Sequence, residues 1–154
     1  MLTMKVTEGL DIPLGWQTMT IAKAVDGDYN GTRYIDLHFT GLPESVKCRI
    51  WSATNKDTGE DFGIGNLFYY ANAGLTLEDG SLSIDDNANH LKNKNLQVYF
   101  YIKDNGYTEA AQRVAPVVRE GFSESHVEKL KMKAEKWVKD RTETVATETE
   151  AAPF

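Results

Sequence analysis

Residues 45–51 constrain this chain most. The run Ser-Val-Lys-Cys-Arg-Ile-Trp alternates with period two, so Val46, Cys48 and Ile50 share one face and Lys47, Arg49 and Trp51 the other. This is a strand with one buried side. Its wet side carries two cations followed by a large flat aromatic. Cations neutralise phosphates, and an indole gives a nucleobase a surface on which to stack.

The neighbouring segments extend the pattern. Residues 16–25, rich in Thr, Ile and Val, predict a first strand whose faces the alternation does not assign. Residues 26–31, with two Gly and two Asp, predict a hairpin turn. Residues 32–40 predict a second strand, with Ile35, Leu37 and Phe39 toward a core, Arg33 at its edge, and Tyr34, Asp36 and His38 opposite. Gly41-Leu42-Pro43-Glu44 then turns the chain into the third strand, which completes an antiparallel meander. Residues 54–61 read as a loop. Over residues 62–73 the apolar positions fall on a helical stripe, with Gly74 placed to end it. Residues 75–95 read as a long polar connection.

Residues 96–103 predict a fourth strand, with Leu96, Val98, Phe100 and Ile102 inward and Gln97, Tyr99, Tyr101 and Lys103 outward. Asp104-Asn105-Gly106 is a hairpin signal, and residues 107–118, interrupted by Pro116, predict an edge strand. Residues 123–141 predict an amphipathic helix with a Ser125/Glu128 capping box, an apolar stripe of Val127, Leu130, Ala134, Trp137 and Val138, and flanking lysines.

Five strands with a helix between the third and fourth is the element order of an oligonucleotide-binding barrel. The expected fold is mainly β: a five-stranded antiparallel OB-like barrel with a helix between strands 3 and 4 and a C-terminal helix. The barrel would take residues 1–120, the helix 121–141, and an acidic Thr/Glu/Ala tail, expected to be disordered, residues 142–154.

Composition removes several function classes. No window nears 18 consecutive apolar residues, and the N-terminus lacks an apolar signal region, so a cytoplasmic, membrane-free protein is expected. The single cysteine, Cys48, lies on an apolar strand face and reads as a core residue. His38, His90 and His126 fall in different elements without metal-ligand spacing, and no phosphate loop or nucleophile motif is present. A non-enzymatic protein without cofactor or metal is expected. The net charge of −6 taken alone argues against nucleic acid, but Glu143, Glu148 and Glu150 follow the last cation, Arg141, so part of the acid is segregated from the body.

The faces opposite the core hold Tyr34 and His38, then Lys47, Arg49 and Trp51, then Tyr99, Tyr101 and Lys103. Aromatics interleaved with cations across three strands suit sequence-tolerant binding of a single strand. The competing reading packs Tyr99 and Tyr101 under the C-terminal helix and leaves the cations as ordinary solvated charges. The lysine-rich helix itself is open to three readings: solvated, in contact with phosphate, or a homo-oligomer interface.

The ending Glu148-Thr149-Glu150-Ala151-Ala152-Pro153-Phe154 resembles the tip of bacterial single-stranded DNA-binding proteins, which close an acidic run with Pro-Phe. The resemblance implies that Glu148, Glu150, Pro153 and Phe154 recruit replication and recombination proteins. The body, over residues 5–118, is similar to a family of small phage proteins encoded among replication and recombination genes. The matching features are the Asn30-Gly31 turn with its following strand, the helix and exit around Gly65-Asn66-Leu67-Phe68-Tyr69-Tyr70-Ala71-Asn72-Ala73-Gly74-Leu75, and the strand over residues 96–103. This resemblance implies a phage single-stranded DNA-binding protein acting in the host cytoplasm during replication, recombination or repair. The alternative is a protein-interaction barrel, a structural or accessory phage component whose stripe binds a protein partner.

Overall fold

The computed structural model describes residues 12–103 and 106–151, with side chains described through residue 141. Two long strands, β1 (Gly15–Tyr29) and β2 (Thr32–Phe39), are joined by Asn30 and Gly31 alone. Both take positive φ, 52° and 81°, the left-handed pair that matches the twist of a two-residue hairpin. β3 (Lys47–Trp51), α1 (Ile64–Ala71), β4 (Leu75–Glu78) and β5 (Ser81–Ile84) follow. A 3₁₀ turn (Ala88–Leu91) then leads into β6 (Asn95–Ile102), β7 (Thr108–Ala115) and α2 (Glu124–Ala151).

β1 organises the sheet. Its first part, residues 15–20, pairs with β6, and residues 21–29 pair with β2 across a register slip between Ile21 and Lys23. The order is therefore β3-β2-β1-β6-β7, antiparallel throughout. The two edges curl toward each other: the Cys48 thiol on β3 donates to the Ala111 carbonyl on β7 at 3.1 Å. The result is a nearly closed five-stranded barrel of OB-like order, with α1 between the third and fourth barrel strands and α2 at its C-terminal side.

Alternation fills the interior. Ile21, Ile35, Leu37, Cys48, Leu96 and Val98 are fully buried, and Phe39 meets Phe100 edge-on at 6.4 Å. α1 adds Ile64, Leu67, Phe68 and Ala71 to the same core. Burial pushes the Cys48 thiol up, so it stays protonated as a core donor. α2 buries Val127, Ala134 and Val138 and packs along β7. Among the described residues no helix is long and apolar enough to cross a membrane.

Several local expectations change. The polar connection over residues 75–95 contains the β4–β5 hairpin, closed by Asp79 and Gly80 at φ 50° and 76°. Its period-two leucines were hidden by the surrounding polar residues because the hairpin is wet: Leu77 is 72% exposed. The left-handed cap of α1 falls on Asn72, φ 56°, with Gly74 taking a second left-handed position. α2 is capped by Ser123, whose Oγ accepts the His126 amide N–H at 3.2 Å; Ser125 is already helical and cannot serve as N-cap. The α2 backbone continues past Arg141 to Ala151. Pro153 and Phe154 lie outside the described residues, as do the side chains of Glu148 and Glu150 and the predicted turn residues Asp104 and Asn105.

Candidate nucleic-acid interface

The outer face of β2 and β3 gathers five of the predicted residues: Tyr34, His38, Lys47, Arg49 and Trp51. Register sets Tyr34 opposite Trp51, Asp36 opposite Arg49, and His38 opposite Lys47. The Tyr34 and Trp51 rings lie 5.2 Å apart at 60°. The Arg49 guanidinium stacks 3.8 Å from the centre of the Tyr34 ring and 5.6 Å from that of Trp51. The tip of the Tyr34 ring lies across Gly27, where a Cβ would come within 2.3 Å of it, so a side chain at 27 is excluded. With Arg49 on the ring and Gly27 beneath its tip, Tyr34 is a support for the cation more than an open stacking surface.

Asp36 changes the electrostatics of the stripe. It is 6% exposed, takes Arg49 Nε at 2.8 Å and Nη2 at 3.0 Å, and faces Lys47 Nζ at 3.6 Å. Burial pushes its carboxyl up, but the Arg49 hydrogen bonds and the charges of Arg49 and Lys47 outweigh that and hold it below the usual carboxylate range. The same bonds raise Arg49. Two cations thus share one carboxylate. His38 beside them has a buried Nδ1 without a hydrogen-bond partner among the described residues.

Tyr99 and Tyr101 on β6, with Lys103 just past its end, form a second set. Because β1 separates β2 from β6 in the sheet, this set lies on the other flank of β1 from Tyr34. Tyr99 meets Trp16 of β1 at 5.2 Å; the Trp16 Nε1–H donates to Glu135 of α2 at 3.3 Å, and Lys131 of α2 lies 5.6 Å from the Trp16 ring. Burial, then the Glu109 charge, push the Tyr101 hydroxyl up, against Lys103 and Arg141. Lys103 pairs with Glu109 at 3.0 Å. Trp16 thus links Tyr99 of β6 to α2.

Two aromatics lay outside the sequence reading. Tyr29, at the end of β1, is 63% exposed and meets Trp51 at 6.4 Å and 75°. It falls inside the segment read as a turn, and only the continuation of β1 to the Asn30-Gly31 pair could have placed it. Trp16 lay on a strand whose faces alternation could not assign. Among the described residues no three His, Cys, Asp or Glu side chains gather as a metal-ligating group. Comparison with known family models finds no match. Comparison with curated protein sequences also finds none.

Proposed function

We propose that this protein binds single-stranded DNA without strong sequence preference, and that it protects and organises the strand during phage replication or recombination. The observation that carries the reading is the ring group of exposed Tyr29 with half-buried Trp51 and Tyr34, Arg49 stacked in it, on the outer face of an OB-like barrel. Trp51 and Tyr29 offer rings to bases, and each stacked base contributes about 1–3 kcal/mol. Arg49 and Lys47, sharing Asp36, supply one net positive charge beside those rings. The biological setting, and recruitment of partner proteins through Glu148, Glu150, Pro153 and Phe154, rest on the family resemblance alone.

Intrinsic tryptophan fluorescence on titration with oligo-dT, at two salt concentrations, tests the reading. Quenching that weakens with salt and is largely lost in Trp51→Ala is expected. Binding of oligo-dT that ignores salt would mean that stacking rather than phosphate neutralisation holds the strand, because neutralisation gives a log–log slope of about −0.7 per contact. Absence of binding at low salt would overturn the proposal.

A further inference from the structure

We propose that the cavity between β7 and α2 is a nucleotide subsite, which takes one base of a bound single strand against Trp51 and Phe62 and holds an adjoining phosphate on Arg113 and Lys133. This rests on the single-strand reading above and extends it to a surface that the predicted stripe does not include. The cavity measures about 300 Å³ and is walled by Trp51 at the end of β3, Phe62 before α1 and Leu130 of α2. That is the lower end of the range for small-ligand sites, roughly 300–1,000 Å³. Phe62 is 50% exposed although it faces this space. The amides of Asn66 and Gln112 also line it, and each carries both a donor and an acceptor, so either can meet the edge of any base.

Charge sets the cavity apart from the predicted stripe. The cations of the predicted stripe face carboxylates: Arg49 and Lys47 share Asp36, and Lys103 has Glu109. Arg113 and Lys133, converging on the cavity from β7 and α2, have no carboxylate within 4 Å among the described residues, and neither has Arg141. Arg113 and Arg141 also share one indole, lying 5.6 and 3.6 Å from the Trp137 ring. Burial, then the Arg141 charge, lower the Arg113 pKa, as expected for like charges held together without an acid. An anion at this point relieves that repulsion, and the oxygens of a phosphodiester match a guanidinium fork. Trp51 belongs both to the ring group of β1–β3 and to the cavity wall, so a strand stacked on Tyr29 and Trp51 reaches the cavity without a break.

The test is fluorescence anisotropy of fluorescein-labelled oligo-dT with the full chain across a salt series. The variants are Arg113→Gln, Lys133→Gln and their double, with Lys92→Gln as an equal charge change on the exposed connection before β6. Each cavity variant should bind several-fold more weakly at low salt and flatten the log–log salt slope by about 0.7. Lys92→Gln should match wild type. Wild-type affinity and slope in both cavity variants, with Trp51→Ala still losing its quenching, would overturn the subsite and leave single-strand binding standing. Equal weakening in Lys92→Gln would also overturn it, by assigning the effect to net charge. A wild-type chain that ignores oligo-dT removes both readings. Should Arg113→Gln fail to fold, Lys133→Gln, on an exposed helix position, decides alone.

Discussion

Asp36 is the residue on which the β2–β3 face depends. An almost buried carboxylate is tolerable only while its partners stay in place. Arg49→Gln leaves it with Lys47 at 3.6 Å and should destabilise the fold by about 1–3 kcal/mol, at the low end for a broken ion pair because water reaches Arg49. Adding Asp36→Asn should return part of that loss, which a urea-denaturation double-mutant cycle would measure. Because the folded-state pKa of Asp36 is lowered, its contribution is fully present above the unfolded value of about 3.9 and disappears as pH falls through the folded value. The stability of Asp36→Asn should therefore fall less steeply than wild type between about pH 5 and pH 2. A parallel pH profile would assign the pairing no energetic weight. The alternation put Asp36 on the right face, but neutralisation of Arg49 follows from cross-strand register. The β2–β3 register is set by the connection over residues 40–46, which carries no two-residue turn signal.

At the scale of elements, α1 shows what periodicity can and cannot reveal. Its apolar stripe is legible, yet eight residues are too few for a stable isolated helix. Gly63 at its N-cap offers no side chain. Asp61 replaces it: Oδ1 accepts the N–H groups of Gly63, Ile64 and Ala53 at 2.8, 2.9 and 3.2 Å, and Oδ2 accepts Ser52 Oγ at 2.6 Å. Burial raises this carboxyl, and Ser52 with the three amides more than reverses it. Asp61→Ala should cost about 1–2 kcal/mol in thermal or urea unfolding, the range for losing a helix cap. A change below a few tenths would show that packing of Leu67 and Phe68 alone fixes the helix. Asp61 was hidden because it reads as one more polar residue in a polar loop. β4 and β5 escaped for a related reason: a wet two-stranded hairpin has little apolar contrast with its surroundings. β2, β3 and most of β6 were legible because alternate apolar residues are buried there, whereas β1, in which Ile21 is the one buried residue, and β7, which buries the adjacent pairs Ala110-Ala111 and Val114-Ala115, show no such alternation; Ile102 at the end of β6, expected inward, is exposed.

For the whole molecule, a net charge of −6 and a single-strand-binding surface are compatible only if the acid stands apart from the cations that matter. Inside the body it does not: Asp36 and Glu109 sit directly on the predicted stripe, whereas Arg113 and Lys133 at the cavity between β7 and α2 face no carboxylate within 4 Å among the described residues. Beyond Arg141 the chain carries Glu143, Glu148 and Glu150 and no cation. If that segment competes with phosphates for the cations of the body, ending the chain after Arg141 removes a competitor and keeps every cation. Oligo-dT affinity of the truncated chain should be unchanged or higher. Any gain should be largest at low salt, where charges interact over a Debye length of about 30 Å, and should vanish near 1 M, where it is about 3 Å. A clear loss of affinity would mean that the segment helps to hold DNA or to assemble the protein. Measuring molecular mass in solution beside the titration separates those outcomes, because a truncated chain that also changes its oligomeric state would place the segment at an interface between copies.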